Sequence, residues 1–238
     1  AAKIIKVFGS DSKAAKAKPS KRGEDTPQKQ LSAVRYQLKK VPEHLQRPPG
    51  VSGEDARVMF KPDPWQVRLL DIVDSGNSAL VVAPTASGKT FISYYIMEQC
   101  LRTDDDGLVV FVAPTKALVY QVWAEVKARF SKSYQGGGKL SGVFTRDHRE
   151  NVMDCQILVT VPQCLSILLL SAEEDNVQWA SRIRHVIFDE VHMLGSGGGE
   201  VWEQLVLLVQ APFVALSATL GDVDGFFSWM KRVEASKQ

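Results

Sequence analysis

From Phe60 onward, short apolar runs of strand length alternate with segments of helical period. Such alternation is typical of βαβ units built on a parallel sheet. The runs consist mainly of Val, Ile and Leu, which favours strands that are covered on both faces. The predicted fold class is therefore α/β, with helices around a mostly parallel central sheet. The predicted strands are 79–83, 108–112, 141–144, 156–160, 185–189 and 213–217, and the predicted helices are 64–74, 89–102, 117–130, 163–170, 200–210 and 222–234.

The first 53 residues differ from the rest of the chain in charge and composition. They hold 12 Lys and Arg against 4 Asp and Glu, whereas residues 54–238 hold 17 against 23. Residues 9–27 lack large apolar side chains, which predicts a disordered tether, and the apolar spacing within 28–40 predicts a short helix. We therefore predict a basic arm or linker over 1–53 and a folded domain over 54–238. Charge alone does not decide whether the arm binds nucleic acid or is a solvated linker.

Composition argues against a membrane protein and against a disulfide-rich one. The longest apolar run, 157–170, contains polar residues and is shorter than the roughly 18 to 20 residues that a membrane span requires. Cys100, Cys155 and Cys164 lack the paired spacing of a zinc site or a disulfide framework. We therefore expect no membrane partner and a reducing, cytoplasmic setting. The chain begins without Met and without a secretory signal, so we interpret it as a piece of a longer protein.

The segment APTASGKT, residues 83–90, follows the first predicted strand of the folded domain and precedes a helix. It matches the phosphate-loop pattern G-x-x-x-x-G-K-[ST], except that Ala83 replaces the first glycine. Backbone N–H groups at such a helix start attract phosphate oxygens, and Gly88 allows their close approach. Lys89 supplies a positive charge for the β and γ phosphates, and the Thr90 hydroxyl is a ligand for Mg²⁺. The alternative is a helix-entry turn with an accidental Gly-Lys-Thr.

A second polar segment, HVIFDEVH at 185–192, ends another predicted strand in acidic residues. Ligands of α/β sheets bind beyond the carboxyl ends of the strands, so these acids are expected to face the phosphate loop. Asp189 would complete the Mg²⁺ shell, and Glu190 would orient or deprotonate an attacking water. The alternative is a solvated strand end. A zinc role for His192 is rejected because the H-E-x-x-H spacing is absent.

Four motifs in order, APTASGKT, APTKALVYQ (113–121), DEVH (189–192) and SAT (217–219), resemble the first motor domain of a superfamily 2 DExD/H-box helicase. Alanine at the first loop position is itself usual in these helicases. FDEVHMLG and LSATL are similar to the Ski2-like branch, and GVFTRD and FKPDPWQVRLLDIV resemble the DExD/H-box helicase 60 group, which is linked to antiviral defence. The resemblance covers about residues 60–230 and none of the first 50. It implies a RecA-like three-layer sandwich that binds ATP and Mg²⁺.

The resemblance also implies which residues hold the cofactor. Gln66 stands where the family has a glutamine that recognises adenine, and Phe60 or Trp65 either flanks the base or belongs to the core. The remaining cofactor-binding residues are Pro84, Thr85, Ala86, Ser87, Gly88, Lys89 and Thr90. Lys89, Asp189 and Glu190 are the implied catalytic residues, with Thr90 and Asp189 holding the metal.

Two further groups of residues are implied to contact nucleic acid or to couple it to ATP. The contact residues are Pro114, Thr115, Lys116, Thr160, Pro162 and Gln163, although the chain reads TVPQ where the family usually reads TPE. Thr145 and Arg146 form either a further contact or a surface turn. The coupling residues are His192, Ser217 and Thr219, which would transmit the state of the γ phosphate to the bound strand.

The implied function is that of an ATP-dependent RNA helicase, represented here by its first motor domain. In the family, a second RecA-like domain carries arginines that stabilise the transferring phosphate. Loss of such an arginine costs roughly 10³ to 10⁵ in rate, so the 238 residues alone are expected to hydrolyse ATP negligibly. The alternatives are a Ski2-like DNA helicase in repair, an RNA-binding signalling scaffold that uses ATP as a switch, and a small-molecule phosphotransferase, which would leave APTKALVYQ unexplained.

Overall fold

The structure is a computed structural model that describes residues 4–7, 54–84, 87–134, 136–171, 174–191 and 199–237. The tether predicted over 9–27 and the helix predicted within 28–40 lie outside these residues. The chain divides into two compact units, Ala1–Gly9 with Leu69–Gln238, and Ser10–Arg68. The boundary expected from the sequence between residues 53 and 54 stays a prediction.

A sheet of eight strands, counted over the described residues, forms the centre of the larger unit. The strands are β1 (Ile4–Val7), β2 (Ala79–Val82), β3 (Leu108–Val112), β4 (Lys139–Phe144), β5 (Arg149–Glu150), β6 (Cys155–Thr160), β7 (Ile183–Phe188) and β8 (Phe213–Ser217). Their spatial order is β1-β2-β8-β7-β3-β6-β4-β5. Pairing is parallel from β2 to β4 and antiparallel at the two edges, β1 with β2 and β4 with β5. The mostly parallel sheet predicted from the sequence is confirmed.

Helices cover both faces of this sheet. They are α1 (Pro64–Asp74), α2 (Thr90–Thr103), α3 (Lys116–Arg129), α4 (Pro162–Leu170), α5 (Glu174–Ser181), α6 (Gly199–Leu208) and α7 (Val223–Ala235). Successive side chains of a strand point to opposite faces. In β3, Leu108, Val110 and Val112 belong to the same core cluster as residues of α4 to α7. Val109 and Phe111 line cavities with residues of α2 on the other face. The arrangement is therefore three layers.

The end of every predicted strand and helix lies within two residues of the corresponding end in the structure. Three elements were not predicted: β1, β5 and α5. β5 has two residues and β1 has four, which is too short for a periodic pattern to be recognised. Helix α5, EDNVQWAS, is mostly polar, and it is held by Trp179, which is 2% exposed and donates to Val152 O at 2.9 Å.

No helix among the described residues combines the length and the apolar character needed to cross a bilayer. Cys100, Cys155 and Cys164 are free and buried. Burial raises the pKa of the Cys155 thiol to about 12 and that of Cys100 to about 11, which keeps both thiols protonated at neutral pH.

Gly142 allows the β4–β5 edge to close tightly on the sheet. A Cβ atom at this position would lie 2.7 Å from Asn151 O, 2.8 Å from Cys155 Sγ and 2.9 Å from Glu150 O. Two of these three atoms belong to the backbone, so a side chain at Gly142 would force the chain that follows β5 away from β4.

We expect Gly142→Ala to destabilise the fold by about 1 to 3 kcal/mol, the usual cost of overpacking. Denaturant unfolding measures the difference. Gly221→Ala is the matched control, because a Cβ at Gly221 meets nothing within 4 Å. Equal stability of the two variants would contradict the proposed close approach.

His185 is a buried imidazole in β7. It is 8% exposed, and among the described residues its Nε2 has no hydrogen-bond partner. Burial disfavours the charged form and lowers the pKa of His185 to about 4. The unfolded chain therefore binds a proton at His185 more readily than the folded chain does.

The fold should consequently lose stability as the pH falls below about 6.5 toward the folded-state pKa of about 4. Between pH 7 and pH 5 this imidazole should lower the free energy of unfolding by about 2 kcal/mol. Urea unfolding at pH 7 and pH 5 measures this change. The free energy of unfolding should fall by about 2 kcal/mol less in His185→Leu than in the unmodified protein. The same pH dependence in both proteins would contradict the assignment.

Candidate functional site

The described ends of the loop between β2 and α2 lead into the start of a helix. Ser87 N donates to Pro84 O at 3.2 Å, and Gly88 has φ +80°, a left-handed conformation that glycine adopts readily. Lys89 already has helical angles, so α2 begins directly after the turn. The start of a helix presents backbone N–H groups and the positive end of its dipole. Thr85 and Ala86, predicted cofactor-binding residues, lie outside the described residues.

The Lys89 ammonium lies over this loop. Its Nζ donates to Ala83 O at 2.5 Å and to Pro84 O at 3.1 Å. These two carbonyl oxygens hold the positively charged Lys89 ammonium beside the start of α2. A phosphate oxygen in the cleft would offer the ammonium a stronger, charge-assisted hydrogen bond than a neutral carbonyl does.

The acidic pair follows β7 in a strained turn. Asp189 N donates to Val112 O at 2.9 Å, which continues the hydrogen bonding between β7 and β3 beyond the end of the strand. Glu190 has φ +53°, and its N–H donates to Asp189 Oδ1 at 3.1 Å. A left-handed conformation of a non-glycine residue costs about 1 to 3 kcal/mol, and such residues cluster at functional sites.

Segments that are far apart in the sequence meet in one cleft of about 320 Å³. The lining residues are Gly88, Lys89, Thr90, Ser93, Phe111, Asp189, Glu190 and Leu216. The predicted catalytic residues Lys89, Asp189 and Glu190 therefore share one site, and so do Thr90 and Asp189. One ammonium and a helix start suit phosphate groups, while a hydroxyl and a carboxylate suit Mg²⁺.

Two hydroxyl groups near this cleft also suit a ligand that bears many oxygens. Ser87 Oγ and Ser93 Oγ are buried and have no hydrogen-bond partner among the described residues. A buried polar group without a partner costs about 1 to 3 kcal/mol. Sequence reasoning missed Ser93, although it stands three residues after Thr90 and so on the same face of α2. Phe111 and Leu216 were also missed as lining residues, because they look like ordinary strand residues.

The segment Ser217–Thr219 is joined to the phosphate loop through the backbone. Ser217 ends β8 opposite Val82 of β2, and Ser217 O accepts from Ala83 N at 3.1 Å. The buried Ser217 hydroxyl donates to Thr219 O at 3.0 Å. Because of this backbone hydrogen bond, a displacement of either segment would shift the other. His192, the third predicted coupling residue, lies outside the described residues, and the coupling role stays a prediction.

The first predicted nucleic-acid loop is accessible. Thr115 caps α3 by accepting from Leu118 N at 3.4 Å, and both Thr115 and Lys116 are exposed. The Lys116 ammonium forms an ion pair with Asp147. Pro114 lies between them and β3 and is half-buried.

The second predicted loop offers fewer side chains to solvent. Thr160 is fully buried and donates to Phe144 O at 2.7 Å, because the register of β4 and β6 places these two residues opposite each other. Pro162 is buried at the start of α4, whereas Gln163 is exposed. The hydroxyl of Thr160 thus has a structural partner within the sheet.

Gln66, predicted to recognise adenine, belongs to the Ser10–Arg68 unit. Its Oε1 accepts from Asp63 N at 2.8 Å, an interaction with the chain just before α1. Its role toward adenine stays a prediction.

The sequence profile of the DEAD/DEAH box helicases matches residues 63–225, a range that includes the phosphate loop, the acidic pair and Ser217–Thr219. The chain belongs to the DEAD/DEAH box helicase family. Members use ATP, which agrees with a cleft built from Lys89, Thr90 and Asp189.

Individual relatives place this helicase domain in the Ski2-like branch. It is 51% identical over 87% of its length to an uncharacterized helicase of Dictyostelium discoideum, and 44% identical over 98% to a human protein named "Probable ATP-dependent RNA helicase DDX60-like". It is 32% identical over 73% to the ATP-dependent RNA helicase mtr4 of Schizosaccharomyces pombe. The human match extends into the first 50 residues, where the sequence motifs alone gave no resemblance. The domain spans only 12 to 14% of these relatives.

A solved structure confirms the fold. The DUF1998 helicase MrfA, crystallised with DNA, matches with a TM-score of 0.59 and 21% identity over 79% of this helicase domain and 29% of that chain. A likeness at this identity concerns architecture alone. It confirms the RecA-like sandwich predicted for the described helicase core.

We expect Lys89→Ala to weaken ATP binding about tenfold to a hundredfold, because a charge-assisted contact with the phosphates is lost. Titration with a fluorescent ATP analogue measures the change. Lys231→Ala removes an exposed lysine of α7 and should bind like the unmodified protein. Equal affinities of the two variants would exclude Lys89 from the site.

Proposed function

We propose that this chain is the ATP-binding motor domain of an ATP-dependent RNA helicase that couples hydrolysis to remodelling of, or translocation along, RNA. The observation that carries the proposal is the single cleft shared by Lys89, Thr90, Asp189 and Glu190. RNA is favoured over DNA by the names of the human and fission-yeast relatives. The whole protein's activity is part of the proposal, since the chain spans a small share of its relatives.

Five residues of the cleft have tasks in this proposal. Lys89 and the backbone of Gly88 hold the β and γ phosphates, and Thr90 and Asp189 hold Mg²⁺. The ion, when bound, neutralises charge that develops on the phosphate oxygens. Glu190, which lines the same cleft as Asp189, orients the attacking water and accepts its proton.

The proposal includes a second RecA-like domain in the full protein, supplying arginines to the other side of the cleft. Pro114, Thr115, Lys116 and Gln163 are proposed to contact the phosphates and sugars of the strand, which predicts weak sequence preference and strong salt dependence. The resemblance to the DExD/H-box helicase 60 group extends the proposal to antiviral defence in the cytoplasm.

In the full-length protein we expect Glu190→Gln to lower RNA-stimulated ATP hydrolysis by about 10² to 10⁴ while ATP binding is retained, because the amide cannot accept the proton. Steady-state phosphate release with RNA or DNA present is the measurement. Glu203→Gln, an exposed residue of α6, is the matched control. Hydrolysis by Glu190→Gln at the unmodified rate would contradict the proposed base.

The phosphate-release assay distinguishes an RNA helicase from a DNA helicase, and a cellular assay of the same variant tests the scaffold alternative. Stronger stimulation by DNA than by RNA would favour a DNA helicase, whose fold is represented by the MrfA structure. Survival of the cellular function in Glu190→Gln, with hydrolysis abolished, would favour a scaffold that uses ATP only as a switch.

A further inference from the structure

A second cavity, of about 290 Å³, lies at the amino edge of the sheet, opposite the edge that bears the nucleotide cleft. Its residues come from the later part of α2, the end of α1 and the first residues of β3 and β7. We call it the amino-edge cavity, lined among others by Val73, Ile96, Val109, Arg184 and His185. Asp189 of the nucleotide cleft follows His185 by four residues, which is about 13 Å along an extended strand. The two cavities are therefore separate.

A β-bulge brings two neighbouring polar residues of β7 to this cavity. Leu108 of β3 pairs with Ile183 of β7, and the next residue of β3, Val109, pairs with His185. Arg184 is therefore an extra residue inserted into β7. Successive side chains of a regular strand point to opposite faces, whereas a bulge re-aims a side chain and is over-represented next to active sites. Because of the bulge, Arg184 and His185 both line the amino-edge cavity.

The imidazole of His185 offers the cavity a hydrogen-bond acceptor. The residue is 8% exposed, and within the described part of the chain its Nε2 has no hydrogen-bond partner. Burial lowers the pKa of His185, while a hydrogen bond with the backbone of Arg184 acts to raise it, as a bond to an accepting carbonyl does. Since Nε2 is unpartnered, that bond uses Nδ1–H, and Nε2 of the neutral ring is an acceptor.

The side chain of Arg184 offers hydrogen-bond donors next to this acceptor. It is 57% exposed, and its Nη2 lies 3.6 Å from Asp104 Oδ2, which is a long contact for an ion pair. Asp104 also accepts from Asp106 N at 2.9 Å and from Gly107 N, so its carboxylate is held in the turn after α2. A guanidinium has five N–H donors, and the contact with Asp104 uses only part of them.

The charge and the walls of the cavity favour a small neutral ligand. Asp74 and Asp104 line the cavity together with Arg184, so its carboxylates outnumber its guanidinium and disfavour an anion. A buried acceptor without a partner costs stability, which a ligand that donates a hydrogen bond would recover. The apolar walls, which suit the flat faces of a ring, are formed by Val73, Ile96 and Val109.

We propose that the amino-edge cavity binds a small, neutral cyclic amide, whose N–H donates to His185 Nε2 and whose carbonyl accepts from the Arg184 guanidinium. The N–H and the C=O of such a ring stand side by side, as the complementary groups of the bulge do. Apolar walls with a few convergent polar groups are typical of sites that bind small molecules. The inference goes beyond the proposed helicase activity and does not depend on it.

Ligand-observed NMR titration of the full-length protein at neutral pH with 2-quinolone, a two-ring cyclic amide, tests this inference. We expect a Kd on the order of 0.1 to 1 mM, which is usual for so small a ligand. N-methyl-2-quinolone keeps the carbonyl but has no N–H, so its Kd should be about tenfold higher. His185→Leu and Arg184→Ala should each raise the Kd of 2-quinolone about tenfold, because each removes one hydrogen-bonding group.

Arg102→Ala is the matched control, since its side chain is 71% exposed in an ion pair with Glu98 near the end of α2, outside the cavity lining. It should bind 2-quinolone like the unmodified protein, and thermal melting establishes that each variant is folded. Failure of 2-quinolone to bind, equal affinities for the two quinolones, or an unchanged Kd in His185→Leu would each overturn the proposal. Displacement of 2-quinolone by saturating ATP would place it in the nucleotide cleft and would also overturn the proposal.

Discussion

Hydrogen bonding between parallel strands at the carboxyl edge of the sheet determines where every group of the cleft lies. The bonds continue past the ends of the strands, from Ala83 N to Ser217 O at 3.1 Å and from Asp189 N to Val112 O at 2.9 Å. The start of the phosphate loop, the acidic pair and the start of the Ser217–Thr219 segment therefore lie together at the carboxyl edge of the sheet. The buried strands β2, β8, β7 and β3 supply a rigid base for groups that come from distant parts of the sequence.

Much of this arrangement could be predicted because the sequence carries local signals for it. Strand β3 is an uninterrupted apolar run and β8 is apolar up to its last residue, Ser217, and their predicted ends agree with the structure. The phosphate loop and the acidic pair use residue types whose chemistry is specific, and both follow strands of a parallel sheet, so their meeting was expected. Gly88, Lys89 and Thr90 line one cleft with the acidic pair, and the chemical roles stay predictions.

Other features depend on tertiary packing and leave no local signal. The Thr160 hydroxyl is used by Phe144 O because of the register between β4 and β6, which a single sequence does not specify. Phe111 and Leu216 face the cleft only because of the direction in which their strands alternate. Tyr120 of α3 and His148 of the β4–β5 turn, about 30 positions apart, likewise come into contact only in the folded chain.

The left-handed backbone at Glu190 has a further consequence. With φ +53°, this position would suit glycine better than any residue with a side chain. Glutamate bears this conformational cost here, whereas glycine would not. Stability and chemistry thus make opposite demands on one backbone angle, which marks Glu190 as a residue kept in place by its neighbours rather than by its own conformational preference.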